Sequence, residues 1–257
     1  MFYQIKQYIK FLFKSTNQHG VHSPFIYNIV TQCFYDKKNY QAYKTLWDYR
    51  KSLLKNHTRV NVTDLGAGSQ VMKQKERQIS SLAKNAGTTN KRAQLLYRLS
   101  SYFNPKNILE LGTSLGIATS AISLGNPEAH ITTIEGCPNI SKLVLEQFSK
   151  LNLENTHVIN GNFKEEIKKL SSNAYDLIFF DGNHQKEATL HYFETLLTTA
   201  HNDSVFIFDD IYWSKGMTEA WETIKNHPKV SVTIDTFNWG FVFFRQEQVK
   251  EHFRIRV

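Results

Sequence analysis

The residues with the clearest chemical potential are three carboxylates that follow two apolar runs. Asp181 ends the run Asp176–Asp181, and Asp209 and Asp210 end the run that begins at Ser204. Such runs are typical of buried parallel strands, and open α/β sheets bind ligands outside the carboxyl ends of their strands. We therefore expect the three side chains to converge, where a cation would offset their mutual repulsion. Hard divalent cations prefer oxygen ligands, so the pattern favours a Mg²⁺ or Ca²⁺ site.

A simpler interpretation of these residues stays open at this point. Asp209 or Asp210 would cap the helix that follows, or the acids would point to solvent. His184, three residues after Asp181, is a candidate general base because imidazole titrates near neutral pH. Its alternative role is to cap the segment that follows it.

A second group of residues has the form of a ligand-binding turn. Asn107–Leu124 places a short apolar strand, which includes Glu110, before a glycine turn and a helical segment after it. A further strand, His130–Ile134, leads directly into Glu135. In Rossmann-type sheets such a turn faces a ligand, and an acid roughly 20 residues further along the chain binds ribose hydroxyls. Glu135 is the residue that suits this role.

The spacing of this turn discriminates between cofactors. A dinucleotide site has the pattern G-x-G-x-x-G, which seats a pyrophosphate. Here Glu110 stands two residues before Gly112, and Gly116 follows four residues later. A carboxylate would repel a pyrophosphate but suits a ligand with an ammonium and a sulfonium group, so the turn favours S-adenosylmethionine over a dinucleotide.

A second glycine-rich run, Val60–Gln70, meets fewer of these conditions. No strand that ends in an acid follows Asp64, and residues 71–85 are polar, basic and helical in pattern. We interpret the DLGAGS part of this run as a structured loop beside the core or as a second wall of the ligand site.

The elements that must position these residues alternate along the chain. The sequence predicts helices over Pro138–Lys150, Phe163–Leu170, Gln185–Ala200 and Thr218–Asn226, and strands over Thr156–Asn160, Asp176–Asp181, Ser204–Asp209, Val230–Asp235 and Trp239–Arg245. Only three residues join the last two strands, so they must form an antiparallel hairpin. The predicted fold is α/β: a Rossmann-like doubly wound sheet, mostly parallel with an antiparallel terminal hairpin, plus an N-terminal mainly helical extension.

Composition sets a boundary within the chain. The 257 residues are 41% apolar and 21% charged, which excludes a disordered or fibrous protein. The net charge of +8 comes from residues 1–60, which hold ten Lys or Arg and two Asp or Glu. We therefore expect a basic, aromatic helical cap over residues 1–85 and a core over residues 86–257. Two cysteines, Cys33 and Cys137, give no disulfide framework and favour a reducing, cytoplasmic setting.

The N-terminus predicts an amphipathic helix. Its apolar face comprises Phe2, Ile5, Ile9, Leu12 and Phe13, and a stripe beside that face comprises Lys6, Lys10 and Lys14. These lysines exclude a signal peptide or a membrane span. The helix would pack on the following domain and leave its lysines in solvent. Two alternatives stay open, a contact with nucleic acid and a position on an anionic membrane surface. Ser23 and Pro24 predict the start of a second helix, Phe25–Tyr35.

The E-x-G-x-x-x-G turn, the acid after the second strand and the antiparallel final strand resemble the class I S-adenosylmethionine-dependent methyltransferases. The resemblance covers residues 88–245, which is more than half of the chain. Within that superfamily the chain is most similar to the metal-dependent O-methyltransferases of catechol and macrolide-sugar type. The segments that carry this similarity are RAQLLYRLSSYF, NILELGTSLG, YDLIFFDGNH and FIFDDIYW. Residues 1–85 resemble no family.

The resemblance implies an O-methyltransferase that acts on a small hydroxylated molecule. It places Asp181, Asp209 and Asp210 at the three metal-ligand positions, the third of which is often Asn in the family, and makes Asp181 and His184 the catalytic residues. The implied cofactor-binding residues are Glu110, Gly112, Thr113 and Gly116 at the methionine end, Glu135 at the ribose, and Asn162 at the adenine. The alternative function is an RNA methyltransferase that uses the basic N-terminal segment. A homodimer is left open.

Overall fold

The computed structural model describes residues 2–63 and 75–257. The DLGAGS run predicted as a loop or ligand-site wall therefore lies outside the described residues. The described helices are α1 (Phe2–Lys14), α2 (Pro24–Asn28), α3 (Gln41–Leu54), α4 (Ile79–Asn85), α5 (Asn90–Phe103), α6 (Ile117–Gly125), α7 (Pro138–Lys150), α8 (Phe163–Leu170), α9 (Lys186–Leu196) and α10 (Lys215–Asn226). The described strands are β1 (Arg59–Asn61), β2 (Glu76–Gln78), β3 (Asn107–Leu111), β4 (His130–Glu135), β5 (Thr156–Asn160), β6 (Leu177–Phe180), β7 (Val205–Asp209), β8 (Val232–Asp235), β9 (Trp239–Phe243) and β10 (Glu251–Arg254).

The chain forms two compact units. One comprises Met1–Tyr35 and Ile167–Val257, and the other comprises Asp36–Glu166. Residues 1–35 lie in the first of these units and residues 36–85 in the second, and the boundary predicted at residue 85 stays a prediction.

The unit Asp36–Glu166 holds the predicted glycine turn. Strands β3, β4 and β5 pair in parallel, with Ile108 opposite Ile131 and Ile134 opposite Ile159. Helices α3, α5 and α6 pack against one another. The helical pattern predicted for residues 71–85 is only partly right within the described residues. Strand β2 comes first and pairs antiparallel with β1, and α4 then begins at Ile79.

The other unit holds the carboxylate-bearing strands. Strands β6 and β7 are parallel, β9 is antiparallel to both β7 and β8, and β10 is parallel to β8. The predicted terminal hairpin is therefore confirmed. The sequence analysis missed β10, whose four residues include the exposed Glu251 and His252 and lack an apolar run. The core is aromatic, with Phe179, Phe206, Phe208, Trp239 and Phe241 almost completely buried.

The N-terminal segment up to Tyr35 contacts the C-terminal strands. The side chain of Ser23 accepts the N–H of Ile26, so α2 begins as predicted. After Asn28 the chain continues as a π-helical turn, Ile29–Phe34. Thr16 bridges Ile255 in parallel, and the Tyr35 hydroxyl donates to the carbonyl oxygen of Arg256 at 2.7 Å.

Candidate functional site

The glycine turn between β3 and α6 is shaped by two left-handed glycines. Gly112 has a φ of 109° and Gly116 a φ of 72°, values that cost little only for glycine. A Cβ at Gly116 would lie 2.6 Å from the ring of Phe148, so side chains are excluded there on steric grounds as well. The N–H of Gly112 donates to the carbonyl oxygen of Ile134 at 3.0 Å, which ties the turn to the end of β4.

Glu135 lies at this turn, and its predicted contact with ribose hydroxyls stays a prediction. Its Oε2 accepts the N–H of Ser114 at 2.9 Å, and its Oε1 accepts the N–H of Cys137 at 2.8 Å. These two bonds fix the carboxylate at the carboxyl end of β4, directly against the turn. A fixed acceptor in this position suits a ligand hydroxyl.

Glu110 lies beneath the turn rather than at an open surface. Its side chain is completely buried, and its Oε2 accepts the hydroxyls of Thr119 at 2.5 Å and Thr133 at 2.6 Å. Because Thr133 donates to Glu110, the hydroxyl of Thr113 must donate to Thr133, over 2.6 Å. Within the described residues, Oε1 of Glu110 is buried without a hydrogen-bond partner. Water does not reach this oxygen, so Glu110 supports the turn from below. Its predicted role at the methionine end of the cofactor stays a prediction.

Burial controls the charge of Glu110. Desolvation, together with a smaller effect of the negative charge of Glu135, raises its pKa to about 7 against the lowering effect of the two threonine hydroxyls. Near neutral pH the side chain is therefore divided between its neutral and ionised forms. The charge of Glu110 beneath the turn therefore depends on pH, and a cation bound nearby would favour its ionised form.

Sequence reasoning missed one residue that holds this turn. The hydroxyl of Tyr49, on α3, donates to the carbonyl oxygen of Leu115 at 2.5 Å in a buried contact. Burial raises the pKa of Tyr49, so the hydroxyl keeps its proton and acts as a donor. The sequence offered no signal for this contact, because Tyr49 belongs to the segment that resembles no family.

Asn162 has a local structural role. Its Oδ1 accepts the N–H of Lys164 at 2.9 Å, and its carbonyl oxygen accepts the N–H groups of Glu165 and Glu166. These contacts are those of a residue that caps the start of α8. Its predicted contact with adenine stays a prediction.

The acidic cluster lies in the other unit, at the ends of β6 and β7. Asp181, His184 and Asp209 each offer one ligand atom, and these atoms all lie within 4.8 Å of one another. Nε2 of His184 lies 4.0 Å from Oδ1 of Asp181. Asp209 is buried, whereas Asp181 and His184 are partly exposed. The two carboxylates suit a divalent cation, and the imidazole lies beside them.

Asp210 is not part of this group, although the sequence places it among the metal ligands. Strand β7 ends at Asp209, and the backbone of Asp210 turns to a φ of 52°. The carbonyl oxygen of Asp210 accepts the N–H of Trp213 at 2.8 Å. Asp210 therefore closes a turn beside the cluster.

The cap positions of the two helices that follow the cluster residues are occupied by other residues. Ser214 occupies the cap position of α10 and accepts the N–H of Met217 at 3.1 Å, and Gln185 occupies the cap position of α9. The chain therefore does not use Asp209, Asp210 or His184 as the cap residue of either helix.

Asn183 and Trp213 are neighbours of the cluster. Asn183 has a φ of 51°, and its Nδ2 donates to the hydroxyl of Tyr192 at 3.0 Å. Its Oδ1 is buried without a hydrogen-bond partner in the described parts of the chain. Trp213 is 37% exposed, and its ring centroid lies 6.4 Å from that of His184, whereas Trp239 belongs to the core.

Comparisons with known proteins agree with this architecture. Residues 109–211 match the model of a methyltransferase domain family. The SAH-bound methyltransferase PaMTH1 of Podospora anserina is 15% identical, with a TM-score of 0.62 over 88% of this chain and 97% of that chain. A putative caffeoyl-CoA O-methyltransferase from Staphylococcus aureus is 19% identical, with a TM-score of 0.55 over 79% of this chain and 98% of that chain.

A third similar structure is an O-methyltransferase from Bacillus cereus in complex with SAH. It is 17% identical and has a TM-score of 0.54 over 83% of this chain and 95% of that chain. At these identities the structures establish the fold, and the domain match adds the activity class. Residues 109–211 thus match a methyltransferase domain, and the chain has the fold of SAH-bound methyltransferases, so it is identified as a methyltransferase.

Proposed function

We propose that this protein transfers a methyl group from S-adenosylmethionine to a hydroxyl group of a small molecule, with assistance from a divalent cation. The observation that carries the proposal is the acidic cluster of Asp181, His184 and Asp209, whose ligand atoms lie within 4.8 Å of one another. The Staphylococcus aureus and Bacillus cereus structures, both described as O-methyltransferases, support oxygen as the acceptor atom. Neither the domain match nor these structures favour the RNA alternative.

The cluster fits a cation by its charge. Two carboxylates this close repel each other, and the burial of Asp209 weakens the screening by water. Asp181 and Asp209 would hold the cation through their oxygens. A bound divalent cation supplies positive charge that lowers the pKa of a substrate hydroxyl.

His184 is the proposed acceptor of the hydroxyl proton. In the proposed reaction the substrate oxygen bonds to the methyl carbon as the carbon–sulfur bond breaks, and the proton passes to Nε2 of His184. Asp181, at 4.0 Å from that nitrogen, would stabilise the imidazolium that results. The exposed ring of Trp213 next to His184 offers an apolar surface for a flat substrate.

The proposed cofactor contacts use the other group of residues. The carboxylate of Glu135 would accept the ribose hydroxyls, while Gly112, Thr113 and Gly116 would form the wall at the methionine end. Glu110 would act from beneath the turn through its charge. Because its pKa lies at about 7, a cationic ligand would favour its ionised form and displace a proton.

Calorimetric titration of Mg²⁺, Ca²⁺ and Mn²⁺ into protein saturated with S-adenosylhomocysteine tests the cation site. We expect saturable binding that Asp181→Asn and Asp209→Asn each weaken at least tenfold. Asp176→Asn is the matched control, because Asp176 faces His201 at 3.0 Å at the opposite end of β6. Unchanged binding in both cluster variants would contradict the cation site, and the fold assignment would stand.

The role of His184 is tested separately with His184→Ala. As a proton acceptor, His184 is not required for cation affinity, so the variant should retain cation binding and lose methyl transfer to catechol or vicinal-diol acceptors. If the variant instead loses cation binding and the wild type prefers Mn²⁺ over Mg²⁺, the imidazole is a metal ligand. Unchanged turnover in both His184→Ala and Asp181→Asn would refute the catalytic assignment.

A further inference from the structure

Helix α1 presents its apolar face to solvent. Among the large apolar side chains of this helix, Phe2 is 84% exposed and Phe13 is 88% exposed. The other members of the predicted apolar face, Ile5, Ile9 and Leu12, are each at least 40% exposed. We call these five side chains the α1 outer face. The sequence analysis predicted that the helix packs on the following domain with its lysines in solvent. In the structure the lysines are exposed, and the α1 outer face is exposed as well.

The inner side of the helix holds it in place. Phe11 is the buried side chain of α1, and it packs with Tyr8 against the ring of Phe237 at centroid distances of 5.7 and 4.8 Å. Nε2 of Gln4 donates to the carbonyl oxygen of Trp213 at 3.4 Å. At 100° per residue, Phe11 and Gln4 lie roughly opposite the centre of the α1 outer face. An isolated helix of this length is marginal in water, so these contacts hold it with its apolar residues outward.

The charges beside this face are all of one sign. Lys6, Lys10 and Lys14 are exposed and lie along one edge of the α1 outer face. The first acid of the chain is Asp36, so residues 1–35 contain no carboxylate side chain. Within the described residues, no helix is long and apolar enough to cross a membrane. An apolar face with a lysine edge is the arrangement of helices that lie in the plane of an anionic bilayer.

From this geometry we infer that α1 docks the protein on an anionic membrane surface. The α1 outer face would enter the boundary between headgroups and acyl chains, while the lysine stems extend along it and bring their ammonium groups to lipid phosphates. A second copy of the chain fits less well, because a two-fold contact would bring both lysine edges to one interface and α1 has no acid to neutralise them. This inference is independent of the methyl acceptor.

Flotation of the full-length protein with vesicles tests the inference. We expect binding to vesicles of phosphatidylcholine with phosphatidylserine, little binding to phosphatidylcholine alone, and loss of binding at high salt. The double variant Phe2→Ser/Phe13→Ser should weaken binding by a factor of about 100, about tenfold for each partly buried phenylalanine. Leu145→Ser, at an exposed leucine of α7, is the control and should bind as the wild type does.

The lysines are tested with two triple variants that have the same net charge. Lys6→Gln/Lys10→Gln/Lys14→Gln should remove the preference for phosphatidylserine, whereas Lys84→Gln/Lys142→Gln/Lys150→Gln, at exposed positions of other helices, should keep it. Thermal unfolding of each variant establishes that it is folded. Absence of binding by the wild type at low salt, or wild-type binding by the Phe2 and Phe13 double variant, would overturn the inference. Two other results would also overturn it. One is a wild-type dimer in ultracentrifugation that is lost in the double variant, with no vesicle binding by the wild type. The other is binding of the wild type to RNA and not to vesicles.

Discussion

Replacement of Glu110 by glutamine should change how stability depends on pH. The glutamate is completely buried and its pKa is raised to about 7 from an ordinary value of 4.5, chiefly by desolvation. The folded state therefore binds a proton more tightly than the unfolded state does. The resulting stability is fully present below pH 4.5 and is lost as the pH rises through 7. At 1.36 kcal/mol for each pKa unit, the loss between pH 4 and pH 8 is about 3 kcal/mol.

Glu110→Gln keeps the shape of the side chain and removes its titration. The amide can accept the hydroxyls of Thr119 and Thr133 through its oxygen, and its nitrogen would occupy the place of the unpartnered Oε1. That unpartnered donor lowers stability by a constant amount at every pH. The diagnostic quantity is therefore the slope: the free energy of unfolding of the variant minus that of the wild type should rise by about 3 kcal/mol from pH 4 to pH 8.

Urea unfolding at several pH values, followed by circular dichroism, measures this difference. Glu146→Gln, at an exposed glutamate of α7, is the matched control and should follow the wild type at each pH. A difference between Glu110→Gln and the wild type that stays constant from pH 4 to pH 8 would refute the reasoning. It would mean that the buried carboxyl does not change its protonation in this range.

Three further substitutions test the glycine turn. Glu135→Ala should weaken S-adenosylhomocysteine binding at least tenfold in calorimetry, and an unchanged dissociation constant would refute its assigned role. Gly116→Ala should lower the free energy of unfolding by about 3 kcal/mol, since the added Cβ meets the ring of Phe148 and the left-handed φ is strained for alanine. A loss below about 1 kcal/mol in urea unfolding would contradict this packing. Tyr49→Phe should lower the free energy of unfolding by about 1 kcal/mol and weaken S-adenosylhomocysteine binding, because it leaves the carbonyl oxygen of Leu115 without this donor. Wild-type values in both assays would show that the contact is dispensable.

The bounds of several helices and strands of this protein could be predicted from its sequence. The bounds of α7, β5 and α8 are those predicted, and the three-residue link between β8 and β9 predicted their antiparallel pairing. These features depend on near neighbours in the chain: a proline at the first turn of a helix, an apolar run, a link too short for a crossover. The turn at Gly112 and Gly116 could be predicted for the same reason.

The sequence could not determine which way side chains face once the elements pack. Helical periodicity identified the apolar face of α1, but only the contact with Phe237 decided that this face points outward. Asp209 and Asp210 looked equivalent in sequence, but of this pair only Asp209 joins Asp181 and His184 in the acidic cluster. Glu110 was identified by its spacing, but its pKa is set by complete burial. Burial and orientation arise from contacts between residues far apart in the chain, so only the tertiary structure decides them.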